Sequence, residues 1–354
     1  MTPEQAAQRL QGILASEGAK HIVLITGKRS FELSGASGAL LEPLRQSTSL
    51  THFNDVPKNP DTTAVDAAAQ SCDAAVPDLI VAIGGGSAMD LAKALSVRLA
   101  TRRPAHECLA PETWQELPLT PILAIPTTTG TGSEATQFAV VYHQNKKYSL
   151  SSPKLLPKHV LLVPSFTQAQ PLVVRAASGF DALSQAVESY WSGHGTNKSD
   201  DAALKAITLA TPHLKLGLID FSSDVAADMQ QAANLAGQAI NQTRTTAPHA
   251  LSYALTTDYG IDHGQAVGLM LPKIWRLHQR MHERAPLPAP LLKRMQRIGE
   301  YIGGAADTTA HTLETMLATN KLSYKFQELG LSSRQDWVAL CKRVNLDKKP
   351  FLRV

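Results

Sequence analysis

Cysteine is scarce in this 354-residue chain: Cys72, Cys108 and Cys341, odd in number and far apart. That rules against a disulfide framework or a cysteine-held metal and fits a reducing cytoplasm. Aromatic residues make up only 5% of the chain, and the formal net charge is a mild +4. With no basic stripe interleaved with aromatics, nucleic acid is not an expected partner. No apolar run approaches the roughly 18 residues that cross a bilayer, so no membrane is expected either. The first residues carry a helix-start pattern instead of a secretion signal. Thr2 can cap, Pro3 suits the first helical position and Gln5 stands at capping-box spacing. Hydrophobic residues are plentiful at 44%, enough for two domains with sizeable cores.

The first half alternates strand and helix patterns. A helix over 3–17 ends at Gly18, and the strand His21–Thr26 runs into Gly27-Lys28-Arg29-Ser30. A helix over about 61–74 precedes a strand over 79–83, a glycine turn and a helix from Ala88. A strand over 121–125 enters a threonine- and glycine-rich turn. Tyr142–Ser149 reads as a polar hairpin and Val160–Val163 as a short strand. This is the pattern of a parallel sheet with crossover helices. From about residue 173 the β-branched runs vanish. Helical periodicity covers 179–192, 199–214, 225–242, 247–256, 264–281, 290–302, 308–318 and 334–344, with Ala285–Pro290 as a connector. The expected domains are therefore an α/β domain over 1–172 and an all-α domain over 173–354.

The run Gly84-Gly85-Gly86-Ser87-Ala88-Met89-Asp90 is the most informative stretch. Three glycines let the backbone approach a ligand, and Ser87 and Asp90 stand at capping-box spacing, so a helix N-terminus is predicted here. Its free N–H groups suit a phosphate. The alternative is a tight strand-to-helix connection, since neither Gly-x-Gly-x-x-Gly nor a P-loop lysine is present. The same design recurs at Pro126-Thr127-Thr128-Thr129-Gly130-Thr131-Gly132-Ser133-Glu134. Two phosphate-type turns in one half of a chain suggest a dinucleotide. Gly27, Lys28 and Ser30 follow the first strand, where an acidic residue would hold a free ribose 2′-hydroxyl and a small or basic stretch would accept a 2′-phosphate. This stretch is of the second kind, with a solvated surface turn as its alternative.

In the second half, Asp181 and Gln185 stand four apart on one predicted helix face. His249 opens a helix after Pro248, and His263 follows fourteen residues later. Two histidines and an aspartate can hold a divalent metal, and Gln185 adds a neutral oxygen. The alternative for each histidine is a helix cap or a surface residue.

Taken together, Gly84–Ser87 with Asp90, Pro126–Glu134, Gly179–Leu183, Pro248-His249 and His263-Gly264 with Leu271-Pro272 resemble the iron-containing (group III) alcohol dehydrogenase family. The resemblance implies a Rossmann-like α/β N-terminal domain, an all-α C-terminal domain of dehydroquinate synthase-like architecture, and a homodimer. It implies hydride transfer between NAD(P) and a metal-bound alcohol or aldehyde. The metal ligands would be Asp181, His249, His263 and, where the family normally has histidine, Gln185; the metal would be zinc or iron. Tyr253 stands where relatives carry another histidine and would act in catalysis with His249 and His263. Cofactor residues carry over to Gly85, Gly86, Ser87, Asp90, Thr127, Thr128 and Ser133, with Asn59 near the cofactor and Lys147 at a ribose. NAD-preferring members tend to have aspartate at Gly27, so NADP is expected. The segments 176–192 and 245–253 look most like the branch with 3-deoxy-D-manno-octulosonate 8-oxidase and phosphonoacetaldehyde reductase, which implies an acidic small-molecule substrate. Arg244 could anchor it by bidentate hydrogen bonds or be a surface arginine. Two other readings share the fold: a glycerol-1-phosphate dehydrogenase type of reaction, or a metal-free nucleotide-binding protein.

Overall fold

Strand Leu79–Gly84 is buried at every position, as an unbroken apolar run in the middle of a parallel sheet should be. The fold is that of a computed structural model, which describes residues 1–72, 76–305, 307–331 and 338. In it the chain divides into two compact units. One comprises Met1–Thr128 and Ser133–Gln170; the other comprises Thr129–Gly132 and the chain from Pro171 onward.

In the first unit, α1 (Pro3–Glu17) starts on the Thr2–Gln5 capping box and stops at Gly18, in the left-handed region at φ 60°. The strands are β1 (His21–Thr26), β2 (Ser49–Phe53), β3 (Leu79–Gly84) and β4 (Ile122–Pro126), with β7 (His159–Val160) completing the sheet. Their order is β2-β1-β3-β4-β7, all parallel. The helices between them are α2 (Ser30–Leu33), α3 (Ala36–Ser47), α4 (Thr62–Gln70) and α5 (Gly86–Thr101). Alternate strand residues feed two cores. Ile22, Leu24, Leu79, Val81 and Ile83 pack with Leu10 of α1 and Leu40 of α3. Val23, Ile25, Ile80 and Ala82 pack with Val65 of α4 and Leu91 of α5. Both faces of the sheet are thus covered. The chain reverses direction across the sheet between β1 and β3, which makes their carboxyl ends the place where open α/β sheets bind ligands.

Several sequence-based boundaries shift. Helix α4 ends at Gln70 and β7 is two residues long. Strand β2 and helices α2 and α3 were not foreseen, because Ser49–Phe53 is a half-buried edge strand with little β signature and α3 contains Gly38 and Pro43. The expected hairpin is longer than read, β5 (Phe138–His143) with β6 (Lys146–Ser151). Its two turn residues, Gln144 and Asn145, both have positive φ, the geometry that suits the twist of paired strands.

The second unit is helical: α6 (Leu172–Trp191), α7 (Asn197–Leu216), α8 (Ser223–Thr243), α9 (Ala247–Tyr259), α10 (His263–Arg284), α11 (Ala289–Ile302) and α12 (Thr309–Thr319). The helix expected over 334–344 falls almost wholly outside the described residues. Residues 179–189 of α6 are all buried, and α6 packs against α7, α8 and α10. A helix buried on all sides should be apolar throughout. Helix α6 instead carries Asp181, Gln185 and Glu188, spaced so that they share one face.

His278 of α10 lies edge-on to the Trp191 ring at 5.3 Å, and its Nδ1 has no hydrogen-bond partner among the described residues. Burial pushes its pKa down to about 4. The unfolded chain takes up this proton near pH 6.5 and the folded chain only near pH 4, so stability falls as pH drops through that window. One such group costs about 2 kcal/mol between pH 7 and pH 5. Urea unfolding at the two pH values should show this loss, and His278→Leu should remove most of it.

Candidate active site

At the carboxyl edge of the first unit's sheet, Thr26 of β1 pairs with Ile83 of β3, and Gly84 pairs with Pro126 of β4. The Gly84–Ser87 turn and Pro126–Thr128 therefore lie side by side. The Thr127 N–H donates to the Gly84 carbonyl at 2.9 Å, and a Cβ on Gly85 would stand 3.0 Å from Thr128 Cγ2. Asn59, with φ 60°, donates its N–H to Ser87 Oγ at 3.3 Å. Gly85, Gly86, Ser87, Asn59, Thr127 and Thr128 are thus brought together. Gly27, Lys28 and Ser30 follow the end of β1, and a Cβ on Gly27 would overlap Ser30 Oγ.

Two expectations here need correction. Ser87 and Asp90 do not form a capping box. Helix α5 begins at Gly86 with Gly85 as its cap residue and no side-chain cap bond. Asp90 is drawn away by better partners: Ser133 Oγ donates to its Oδ1 at 2.9 Å and the Val140 N–H to its Oδ2 at 3.0 Å. Nor does the second turn open a helix. Only the 3₁₀ turn Ser133–Ala135 follows it. Its glycines serve helix packing instead. A Cβ on Gly130 would stand 2.8 Å from Ser178 Cα of α6, and one on Gly132 2.7 Å from Gly237 Cα of α8. One phosphate-type turn remains.

Lys93, which sequence reasoning passed over, anchors this neighbourhood. It is fully buried, and its Nζ donates to the carbonyls of Ser133, Thr136 and Phe138 at 2.7–2.8 Å. Burial lowers its pKa to about 8, against the attraction of Asp90 and Glu134. Burial raises the Asp90 carboxyl, opposed mainly by the Lys93 charge. Lys147 of β6 lies close enough to act on Asp90 as well.

In the second unit, Asp181, His249 and His263 each offer a ligand atom within 4.8 Å of the others. Three helix positions converge: Asp181 is buried on α6, His249 is in the first turn of α9 after Pro248, and His263 is the first residue of α10. Asp181 Oδ1 lies 3.2 Å from His249 Nε2 and accepts from Gln185 Nε2 at 3.1 Å. Gln185 Nε2 also donates to the Thr131 carbonyl at 3.2 Å, while its buried Oε1 has no partner among the described residues. An amide oxygen orphaned one helical turn from Asp181 is what a cation site would explain. Two imidazoles, a carboxylate and a neutral oxygen form a donor set suited to zinc or ferrous iron. The residues present fit a divalent metal.

The opposing charges are strong. Burial alone would raise the Asp181 carboxyl, but the His249 hydrogen bond and the neighbouring imidazoles hold it below its usual value. Burial likewise disfavours charge on His249, yet Glu188 and Asp181, one at each ring nitrogen, raise its pKa to about 10. Glu188 was not singled out from the sequence. It is fully buried and bonded to His249 Nδ1, and its spacing of seven from Asp181 on a buried helix was the available signal. Tyr253 stacks on His263 with ring centroids 5.8 Å apart and planes 6° from parallel. Arg244 is exposed and is the C-terminal cap residue of α8, with φ 68°.

Among the described residues no helix is long and apolar enough to cross a membrane. Residues 1–164 match the family described as iron-containing alcohol dehydrogenase, and residues 175–339 match the C-terminal part of the same family. The chain is 36% identical over 248 residues to a phosphonoacetaldehyde reductase of Streptomyces viridochromogenes, covering 67% of this chain and 62% of that protein. It is 35% identical over 263 residues to long-chain-alcohol dehydrogenase 1 of Geobacillus thermodenitrificans, covering 73% and 66%. The chain thus spans just under two thirds of the length of these curated relatives. A sulfoacetaldehyde reductase from Bifidobacterium kashiwanohense, solved in complex with NAD+, superposes with a TM-score of 0.85 at 30% identity, covering 97% of this chain and 90% of that one. Matches over both halves, with one solved relative aligned along nearly its whole length, show that this chain belongs to the iron-containing alcohol dehydrogenase family.

Proposed function

We propose that this protein is a metal-dependent, NAD(P)-linked alcohol dehydrogenase or aldehyde reductase acting on a small acidic substrate. The convergence of Asp181, His249 and His263 from three helices carries this reading. When bound, a divalent cation supplies Lewis acidity toward an alcohol or aldehyde oxygen, and a nicotinamide supplies two-electron redox chemistry. The remaining work is done by this chain's residues. Asp181 brings the negative charge, His249 and His263 fix the geometry, and the Gln185 Oε1 completes the donor set. The Gly84–Gly86 turn and the start of α5 offer main-chain N–H groups to a pyrophosphate, and Lys147 serves a ribose. Asp90 and Ser133, bonded to each other, hold the walls of that turn. Tyr253, stacked on His263, is the side chain assigned to pass a proton.

Two features refine the reading. A carboxylate at Gly27 would need Ser30 to move, and Lys28 stands next to it, which supports a 2′-phosphate and hence NADP. The relatives named for phosphonoacetaldehyde and sulfoacetaldehyde act on aldehydes bearing a strong anion, which supports an acidic substrate such as these or a 3-deoxy-octulosonate sugar acid, with Arg244 as its anchor. One panel tests both. NADH and NADPH oxidation would be measured with neutral, carboxylated, phosphonylated and sulfonylated aldehydes of equal chain length, with Zn2+ or Fe2+ supplied. The highest kcat/KM is expected with NADPH and an anionic aldehyde, and Arg244→Ala should raise KM for the anionic aldehydes alone. A preference for neutral aldehydes would overturn the substrate assignment.

A further inference from the structure

Glu188 lies beyond the four residues assigned to the metal, yet both oxygens of its carboxylate are held by hydrogen bonds. Its Oε2 accepts from the Thr246 N–H at 2.6 Å and from Thr246 Oγ1 at 2.8 Å. The Thr246 hydroxyl can donate in that direction because its own oxygen is already taken by Trp191 Nε1–H at 2.9 Å. Both donors to Oε2 are therefore committed, and Glu188 Oε1 is left facing His249 Nδ1. Every member of this chain is buried. A buried carboxylate oxygen with a ring nitrogen beside it needs that nitrogen to carry the hydrogen.

We propose that Glu188, set by Thr246 and Trp191, is a positioning residue that keeps the proton of His249 on Nδ1 and so presents Nε2 toward Asp181 as a ligand. This rests on the metal reading above. The arrangement is directional. With glutamine at 188, the two Thr246 donors still select the side-chain oxygen. The amide nitrogen then faces His249 Nδ1 and donates to it. The ring must move its hydrogen to Nε2, where it blocks ligation. All hydrogen bonds of the Thr246 arm survive, so the fold loses little while the ligand is turned off. Partners of this kind typically change metal affinity by roughly 10- to 100-fold.

The test uses the full chain, stripped of metal and titrated with Zn2+ against a competing chelator, with the melting temperature of the stripped protein measured in parallel. Glu188→Gln is expected to weaken zinc binding by roughly 10- to 100-fold with a melting temperature near that of the unaltered protein. Glu188→Asp, which keeps the charge and the acceptor, should recover part of that loss. A merely structural Glu188 gives the reverse: a lowered melting temperature and unaltered zinc affinity, which overturns the proposal. If Glu188→Gln does not fold, Thr246→Val carries the test by removing one donor, and zinc affinity equal to the unaltered protein's then overturns it. Failure of the unaltered chain itself to bind zinc or ferrous iron would instead bring down the metal reading, and this inference with it.

Discussion

Replacing His263 with alanine should cut turnover about a thousand-fold or more and leave nucleotide binding largely intact. The magnitude follows from the several kcal/mol that Lewis-acid polarisation contributes to reactions of this type, at about 1.4 kcal/mol per tenfold. His263 is the first residue of α10, its ring lies 5.4 Å from that of His249, and the Tyr253 ring stacks on it at 5.8 Å. Alanine removes one of two imidazoles from a cluster of three candidate ligands. The substitution leaves the residues of the glycine turn and the start of α5 unaltered, so nucleotide affinity is expected to change little. Steady-state kinetics at saturating cofactor would give the first quantity and fluorescence titration with NADPH the second. Turnover equal to that of the unaltered protein would remove His263 from the site.

Gly264→Val should be nearly as damaging without touching a ligand atom. A Cβ at this position would stand 2.6 Å from the Ala177 carbonyl carbon and 3.3 Å from Asp181 Cβ. The obstacle is the main chain of α6, which cannot rotate away as a side chain can. Helix α10 must lift off α6, and His263 moves with it. Overpacking of this severity costs about 3 kcal/mol. For a unit of this size that corresponds to a fall in melting temperature of roughly 10 °C. Zinc affinity should fall as well, because His263 and Asp181 are the residues pushed apart. Gly260→Ala is the contrasting case. No atom lies within 4 Å of its Cβ, but its φ of +66° strains any side chain, for a cost of about 1 kcal/mol and no change in metal binding. Thermal melts and zinc titration of both variants would distinguish the two outcomes.

The parts of this molecule that were legible in the sequence are those set by local chemistry. The capping pair at Thr2 and Gln5, the stop at Gly18 and the buried run of β3 each depend on a few adjacent residues and stand where read, and the hairpin near Gln144 forms there with longer strands than expected. Asp181, His249 and His263 could be raised as metal ligands from their positions, but only the family resemblance favoured that reading over a helix cap or a surface histidine. What stayed hidden depends on distant packing. Ser87 and Asp90 have the spacing of a cap, but Asp90 finds Ser133 and Val140 some forty to fifty residues away. Gly130 and Gly132 look like a phosphate turn, yet their lack of side chains lets α6 and α8 approach them. Lys93 would pass for a solvated helix residue, and only the fold shows it enclosed among carbonyls. Glu188 becomes meaningful once α6 is seen to be buried on all sides.

The central claim is that Asp181, Gln185, His249 and His263 hold a divalent cation. Elemental analysis of the protein purified without chelator, and again after anaerobic reconstitution with Fe2+ and with Zn2+, tests it most directly. The expected result is about one divalent ion per chain in the unaltered protein, with occupancy lost in Asp181→Ala and His263→Ala. No bound metal under any of these conditions, or equal metal in the variants, would contradict it.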